Sequence, residues 1–135
     1  MWFDINTDSK NPIFEQIVSQ VIFNIAGGGL AVGDLIPSVR ELAPRLGIHP
    51  NTVAKAYQEL ERMGVITARR GRGMEVTADA PKICQVRRRE RVGKRVREAL
   101  REAVSSGLSA EEIRRLVEEE TGRANRKHNS HQYEI

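Results

Sequence analysis

Between Ser38 and Val76 the sequence changes structural signal so often that only very short elements fit, and this punctuation constrains the fold more than anything else in the chain. Ser38 is a good N-cap, and Glu41 three residues on completes a capping box. The helix it opens, 39–46, turns Val39, Leu42, Ala43 and Leu46 inward, with Pro44 bending it rather than ending it. Gly47 closes it, "IHP" turns the chain, and His49 or Asn51 caps a second helix. Val53, Ala56, Tyr57, Leu60 and Met63 form the inward stripe of that helix, and Gly64 is its expected C-cap. Two short strands, about 65–70 and 74–76, follow, joined at Gly71-Arg72-Gly73.

Upstream, Pro12 suits a first helical turn, with Asn11 as a possible N-cap. Ile13, Ile17, Val21 and Ile25 then recur every four residues beside Phe14, Val18 and Ile22, up to the glycines at 27–29. "VGDLIPS" reads as a turn with a short extended piece. Three helices and a basic hairpin therefore fit into the first 80 residues. That predicts a mainly α fold with a small β-hairpin, a winged helix-turn-helix domain over 1–80.

Pro81 marks the expected boundary. Beyond it Val92, Val96, Ala99, Leu100, Ala103 and Val104 form a narrow apolar stripe on a polar, helix-forming background. Ser109 and Glu112 make another capping box, opening a helix with Ile113, Leu116 and Val117 inward. One helix cannot bury the 92–104 stripe alone. It needs either the first helix of its own chain or the same tail of a second chain. We assign 81–122 to a helical tail and expect disorder over 123–135, where apolar residues nearly vanish.

Charge narrows the partner. Twenty-two Lys and Arg against 18 Asp and Glu give a net charge of +4, which favours a polyanion. The second helix starts with small and polar residues. His49, Asn51, Thr52 and Lys55 suit contact with base edges, and Ala54 offers a methyl surface. Arg69, Arg70 and Arg72 crowd around Gly71 and Gly73, where they can meet phosphates or a minor groove. A double-stranded DNA partner follows from the succession of these features.

Other chemistry finds no footing. No acid, base and nucleophile converge, so no enzyme is expected, and no cofactor. The only phosphate-loop-like glycines lie in a strand–strand turn. His128 and His131 lack a third ligand, so no metal is expected. The single cysteine, Cys84, cannot form an intrachain disulfide and suits a reducing cytoplasm. No apolar run approaches a membrane span, and no basic-then-apolar leader opens the chain. About 55 residues follow Pro81, too few to enclose a large ligand pocket within one chain, and they name no small-molecule effector.

The motifs "PIFEQI", "GDLIPSVRELA", "NTVAKAYQELERMG" and "RRGRG" together resemble the DNA-binding domain of GntR-family transcriptional regulators, over Pro12 to Val76. The opening "WFDIN" and the short tail are most similar to its YtrA-like branch. The resemblance implies a winged helix-turn-helix regulator, a repressor, that dimerises through its tail and binds an inverted repeat. It implies DNA contacts by Arg40 and Ser38 on the first helix of the pair, by Thr52 and Lys55 with His49 and Asn51 on the second, and by Arg70, Gly71 and Arg72 at the wing tip. The chain departs from many members at Pro50, where arginine is common, at His49, and at Met74-Glu75 in the wing. Glu75 is expected to point away from DNA. The alternative reading is a nonspecific architectural DNA-binding protein.

Overall fold

The first helix supplies the floor of the core. In α1 (Ile13–Ala26), Ile17, Val18, Val21, Ile22 and Ile25 are all buried, as the four-residue recurrence predicts. The computed structural model describes residues 3–133, with side chains through Arg126. Pro12, not Asn11, occupies the capping position of α1, and no side chain caps it. Instead two glutamines on α1 fasten the preceding segment. The Gln16 amide accepts from Asn6 N–H (2.8 Å) and donates to Asn6 O and Asn11 O (both 2.9 Å). Gln20, one turn on, accepts from Asp4 N–H (2.9 Å) and donates to Asp4 O (2.6 Å). Each amide pairs with backbone as a neighbouring strand would, which satisfies an extended segment that no strand adjoins.

α2 (Val39–Leu46) and α3 (Pro50–Arg62) follow the expected bounds closely. Leu42 and Ala43 of α2 are buried, while Val39 and Leu46 are half-buried. Pro44 is exposed, and the bond it cannot donate would have gone to the Arg40 carbonyl, so the helix continues with one gap. Both helices end in the same way. Ile48 N–H bonds Ala43 O and Gly47 N–H bonds Pro44 O; Val65 N–H bonds Leu60 O and Gly64 N–H bonds Glu61 O. These paired closures require a left-handed residue, which glycine supplies at Gly47 (φ 65°) and Gly64 (φ 83°). Met63 is the capping residue of α3, and the expected cap Gly64 stands one place beyond it.

α3 packs on both other helices through Val53, Ala56, Tyr57 and Leu60, all buried. The Tyr57 hydroxyl donates to Pro37 O at 2.6 Å, tying the middle of α3 to the residue just before the α2 cap. Burial, and then the Glu41 carboxylate, push the Tyr57 phenol well above its ordinary value.

The expected hairpin gains a third strand. β1 (Leu35–Ile36), β2 (Ile66–Arg69) and β3 (Gly73–Val76) form an antiparallel sheet in the order β1-β3-β2. Leu35 pairs with Glu75 and Ile36 with Met74. A two-residue strand carries no periodicity, so the sequence signals it only as an extended piece.

The chain divides into two units, 1–91 and 92–135, ten residues beyond the expected boundary at Pro81. The cause is the start of α4 (Ala80–Ser105). Ala80 and Cys84 are buried in the core of the first unit, with Ile83 packed against it. Burial raises the Cys84 thiol to about 11. Arg91 bonds both Glu15 and Ser19 of α1 at 3.0 Å, and the Arg88 guanidinium lies 5.5 Å from the Phe23 ring centre.

In the second unit, α5 (Ala110–Tyr133) opens on a reciprocal capping box, with Ser109 N–H bonding the Glu112 carboxylate (2.9 Å) and Glu112 N–H bonding Ser109 Oγ (3.1 Å). Disorder is expected from 123 onward, yet the helix runs to Tyr133, and residues 134–135 lie outside the described residues. Arginine, lysine and alanine there are good helix formers, so loss of apolar content does not stop the backbone. The expected apolar faces are present but uncovered. Val92, Val96, Val104, Leu116 and Val117 are 42–66% exposed, Ala99 is exposed, and Leu100, Ala103 and Ile113 are half-buried.

Replacing Tyr57 by phenylalanine keeps the ring and strands the Pro37 carbonyl. Denaturant unfolding should show a loss of about 1–2 kcal/mol. Because the folded phenol is raised above its ordinary value of 10.0, its contribution should be complete below that pH and fade as pH rises beyond it. The phenylalanine variant should lack this alkaline loss.

Candidate nucleic-acid interface

Three stretches of the first unit present polar and cationic side chains: the start of α2, the start of α3, and the β2–β3 turn. Each is fixed by its own local bonds.

At the start of α2, Ser38 Oγ accepts from Glu41 N–H (3.1 Å) and donates to the Glu41 carboxylate (3.2 Å). Ser38 is half-buried and Arg40 is exposed. Arg40 has no ion-pair partner among the described residues, whereas Arg45, one turn on, lies 3.9 Å from Glu41.

The start of α3 resolves the choice of cap. His49 is the N-cap, its Nδ1 accepting from Asn51 N–H at 3.0 Å, with Pro50 at the first helical position. His49 and Asn51 are exposed and Thr52 is half-exposed. The His49 ring is therefore held at the helix entrance by its own acceptor nitrogen, which leaves Nε2 directed elsewhere. Lys55 is exposed, but its ammonium sits 3.9 Å from the centre of the Phe14 ring. This cation–π contact joins residues 41 positions apart, and no local spacing announces it.

In the wing, Arg72 N–H closes a turn on Arg69 O at 2.9 Å, with Gly71 at φ 77° inside it. A side chain at that φ would be strained, so the "RGRG" spelling follows from the turn. Arg70 and Arg72 are exposed and lack ion-pair partners among the described residues. Arg69 behaves differently from its neighbours: its Nε donates to the Glu75 carboxylate at 2.7 Å. The expectation that the three arginines act as one cluster thus divides, with two open cations at the tip and one already paired. Glu75 turns toward Arg69, two places along the facing strand from Thr67, its own register mate. Strand register could have revealed this pair, but the register depends on where the turn falls.

Among the described residues no group of three or more histidine, cysteine or acidic side chains could hold a metal. The side chains of His128 and His131 lie outside the described residues. No helix is long and apolar enough to cross a membrane among those described.

Comparison with known proteins agrees with this geometry. The profile of the bacterial regulatory proteins of the gntR family matches residues 13–76, from the first residue of α1 to the last of β3. The HTH-type transcriptional repressor YtrA of Bacillus subtilis (strain 168) is 35% identical over 115 residues, which is 85% of this chain and 88% of that protein. Among solved structures, a transcriptional antiterminator from Listeria monocytogenes EGD-e is 38% identical with a TM-score of 0.67, covering 90% of each chain. YtrA from Sulfolobus acidocaldarius, a GntR-family transcription factor, is 33% identical with a TM-score of 0.53, over 90% of this chain and 98% of that one. The likeness extends through the helices that follow the winged domain. The chain belongs to the GntR family of bacterial regulatory proteins, among its YtrA-like members.

Proposed function

We propose that this GntR-family regulator represses transcription by binding an inverted-repeat operator as a homodimer, in the cytoplasm. One observation carries the DNA reading: Arg40, Arg70 and Arg72 are exposed and lack acidic partners among the described residues, in the unit whose third helix opens on exposed polar side chains. In this reading Arg40, Ser38, Arg70, Gly71 and Arg72 meet the DNA backbone or minor groove. His49, Asn51 and Thr52 meet base edges, and Lys55 joins them by leaving Phe14. The sign of regulation follows the relatives of this type that are named repressors.

The dimer rests on the second unit. Val92, Val96, Ala99, Leu100, Ala103 and Val104 on α4, with Ile113, Leu116 and Val117 on α5, leave apolar area open that a single chain does not cover. Apolar surface contributes about 25 cal/mol per Å² when removed from water, which favours a second tail over solvent. A two-fold axis would set the two recognition helices roughly 34 Å apart, one turn of DNA.

Selection from a random duplex library at about 150 mM salt should enrich an inverted repeat. Binding without an enriched motif would favour an architectural protein instead. Arg40→Ala and Arg72→Ala should each weaken binding across sequences and flatten its salt dependence by about one counterion. Unchanged slopes in both would remove these residues from the interface. Val96→Glu should yield monomers in sedimentation equilibrium, and a variant still dimeric at the parent's concentration would exclude the α4 stripe from the contact.

A further inference from the structure

The wing contains an ion pair unlike most others in the chain. Five of the ion pairs among the described residues join neighbours on one helix, at i,i+3 or i,i+4 spacing, and arise wherever such spacing occurs. Arg69 and Glu75 instead meet across two strands, with Nε 2.7 Å from the carboxylate. The Glu75 side chain is only 18% exposed, against 60% for Arg69. Its strand, β3, lies between the other two, with Glu75 paired to Thr67 on one side and Leu35 on the other. A Cβ placed on Gly33 would lie 3.8 Å from the second Glu75 oxygen, so the carboxylate rests against the loop before β1. The acid is thus fixed by the sheet, and the arginine reaches to it.

We propose that Glu75 is a built-in counterion that withholds Arg69 from DNA and so limits the phosphate contacts of the wing to Arg70 and Arg72. This rests on the DNA-binding reading given above. Binding to a duplex gains its salt-dependent part by releasing ions that had neutralised the phosphates. A cation already neutralised by a carboxylate on its own sheet brings no net charge to that exchange. Moving Arg69 onto a phosphate would also leave Glu75 unpaired beside the polyanion. The wing therefore offers two effective charges although three arginines lie within four residues.

The test uses the full chain and a labelled mixed-sequence duplex, titrated across a salt series from about 50 to 200 mM. Glu75→Gln keeps the shape and removes the charge. It should bind more tightly at low salt, with a slope of log affinity against log salt steeper by about 0.9, so that affinity falls about 3.5-fold further across the series than in the parent. Arg69→Ala alone uncovers the Glu75 carboxylate, so the neutral double variant is the control. The double variant should return to the parent slope. A Glu75→Gln slope equal to the parent's would overturn the proposal, and so would a steep slope that persists in the double variant. Should Glu75→Gln alone fail to fold, the neutral double variant Arg69→Ala/Glu75→Gln decides: a slope flatter than the parent's overturns the proposal, an unchanged one supports it. A parent that binds no duplex even at low salt would overturn the DNA-binding reading, and this inference with it.

Discussion

The winged unit depends on how α3 is buried. Its stripe of Val53, Ala56, Tyr57 and Leu60 meets α1 and α2 at once, and burial of side chains this size contributes about 1.5–3 kcal/mol for each large one. The Tyr57–Pro37 hydrogen bond adds direction to a force that has none, because it fixes one atom of α3 against one atom before α2. Once α3 is set, the Gly64 closure launches β2, and Thr77 secures the return of the sheet through bonds to Gly64 O and Val65 O. The positions of the α3 entrance and of the wing therefore follow from one packed helix.

Against that scaffold the cations sort into two kinds. Lys55, Arg69, Arg88 and Arg91 each have an internal partner: an aromatic ring for Lys55 and Arg88, a carboxylate for Arg69 and Arg91. Arg40, Arg70 and Arg72 have none among the described residues. Net charge treats all of these alike, yet a cation paired with a carboxylate brings no net charge to a phosphate, whereas one against a neutral ring keeps its own. A count of basic residues thus overstates the electrostatic reach of the domain, and the count of unpaired ones is the better guide.

The start of α4 shows why the first compact unit extends beyond Pro81. "RRRERVGKR" reads as a solvated charge run, and most of it is exposed. Arg91 nonetheless bridges to Glu15 and Ser19, and Ala80 and Cys84 enter the core. Two small buried residues and two long side chains suffice to make the start of a polar helix part of the winged unit. The apolar residues beyond residue 91 have no such complement on their own helix, and their exposure is what argues for a second chain.

Much of this was legible locally. Capping boxes at Ser38 and Ser109, the glycine stops at Gly47 and Gly64, and the α1 and α3 stripes all act within a few residues, so their spelling specifies them. The "RGRG" turn is likewise a local demand for positive φ at Gly71. The sequence by itself therefore determined the helices, the ends marked by capping boxes and glycines, the wing and the family. Only the tertiary structure decided the third strand, the later unit boundary, and which cations remain open, because a two-residue strand, the Lys55–Phe14 contact, the Arg91–Glu15 bridge and the Arg69–Glu75 pair exist only once distant segments, or strands in a particular register, have been brought together.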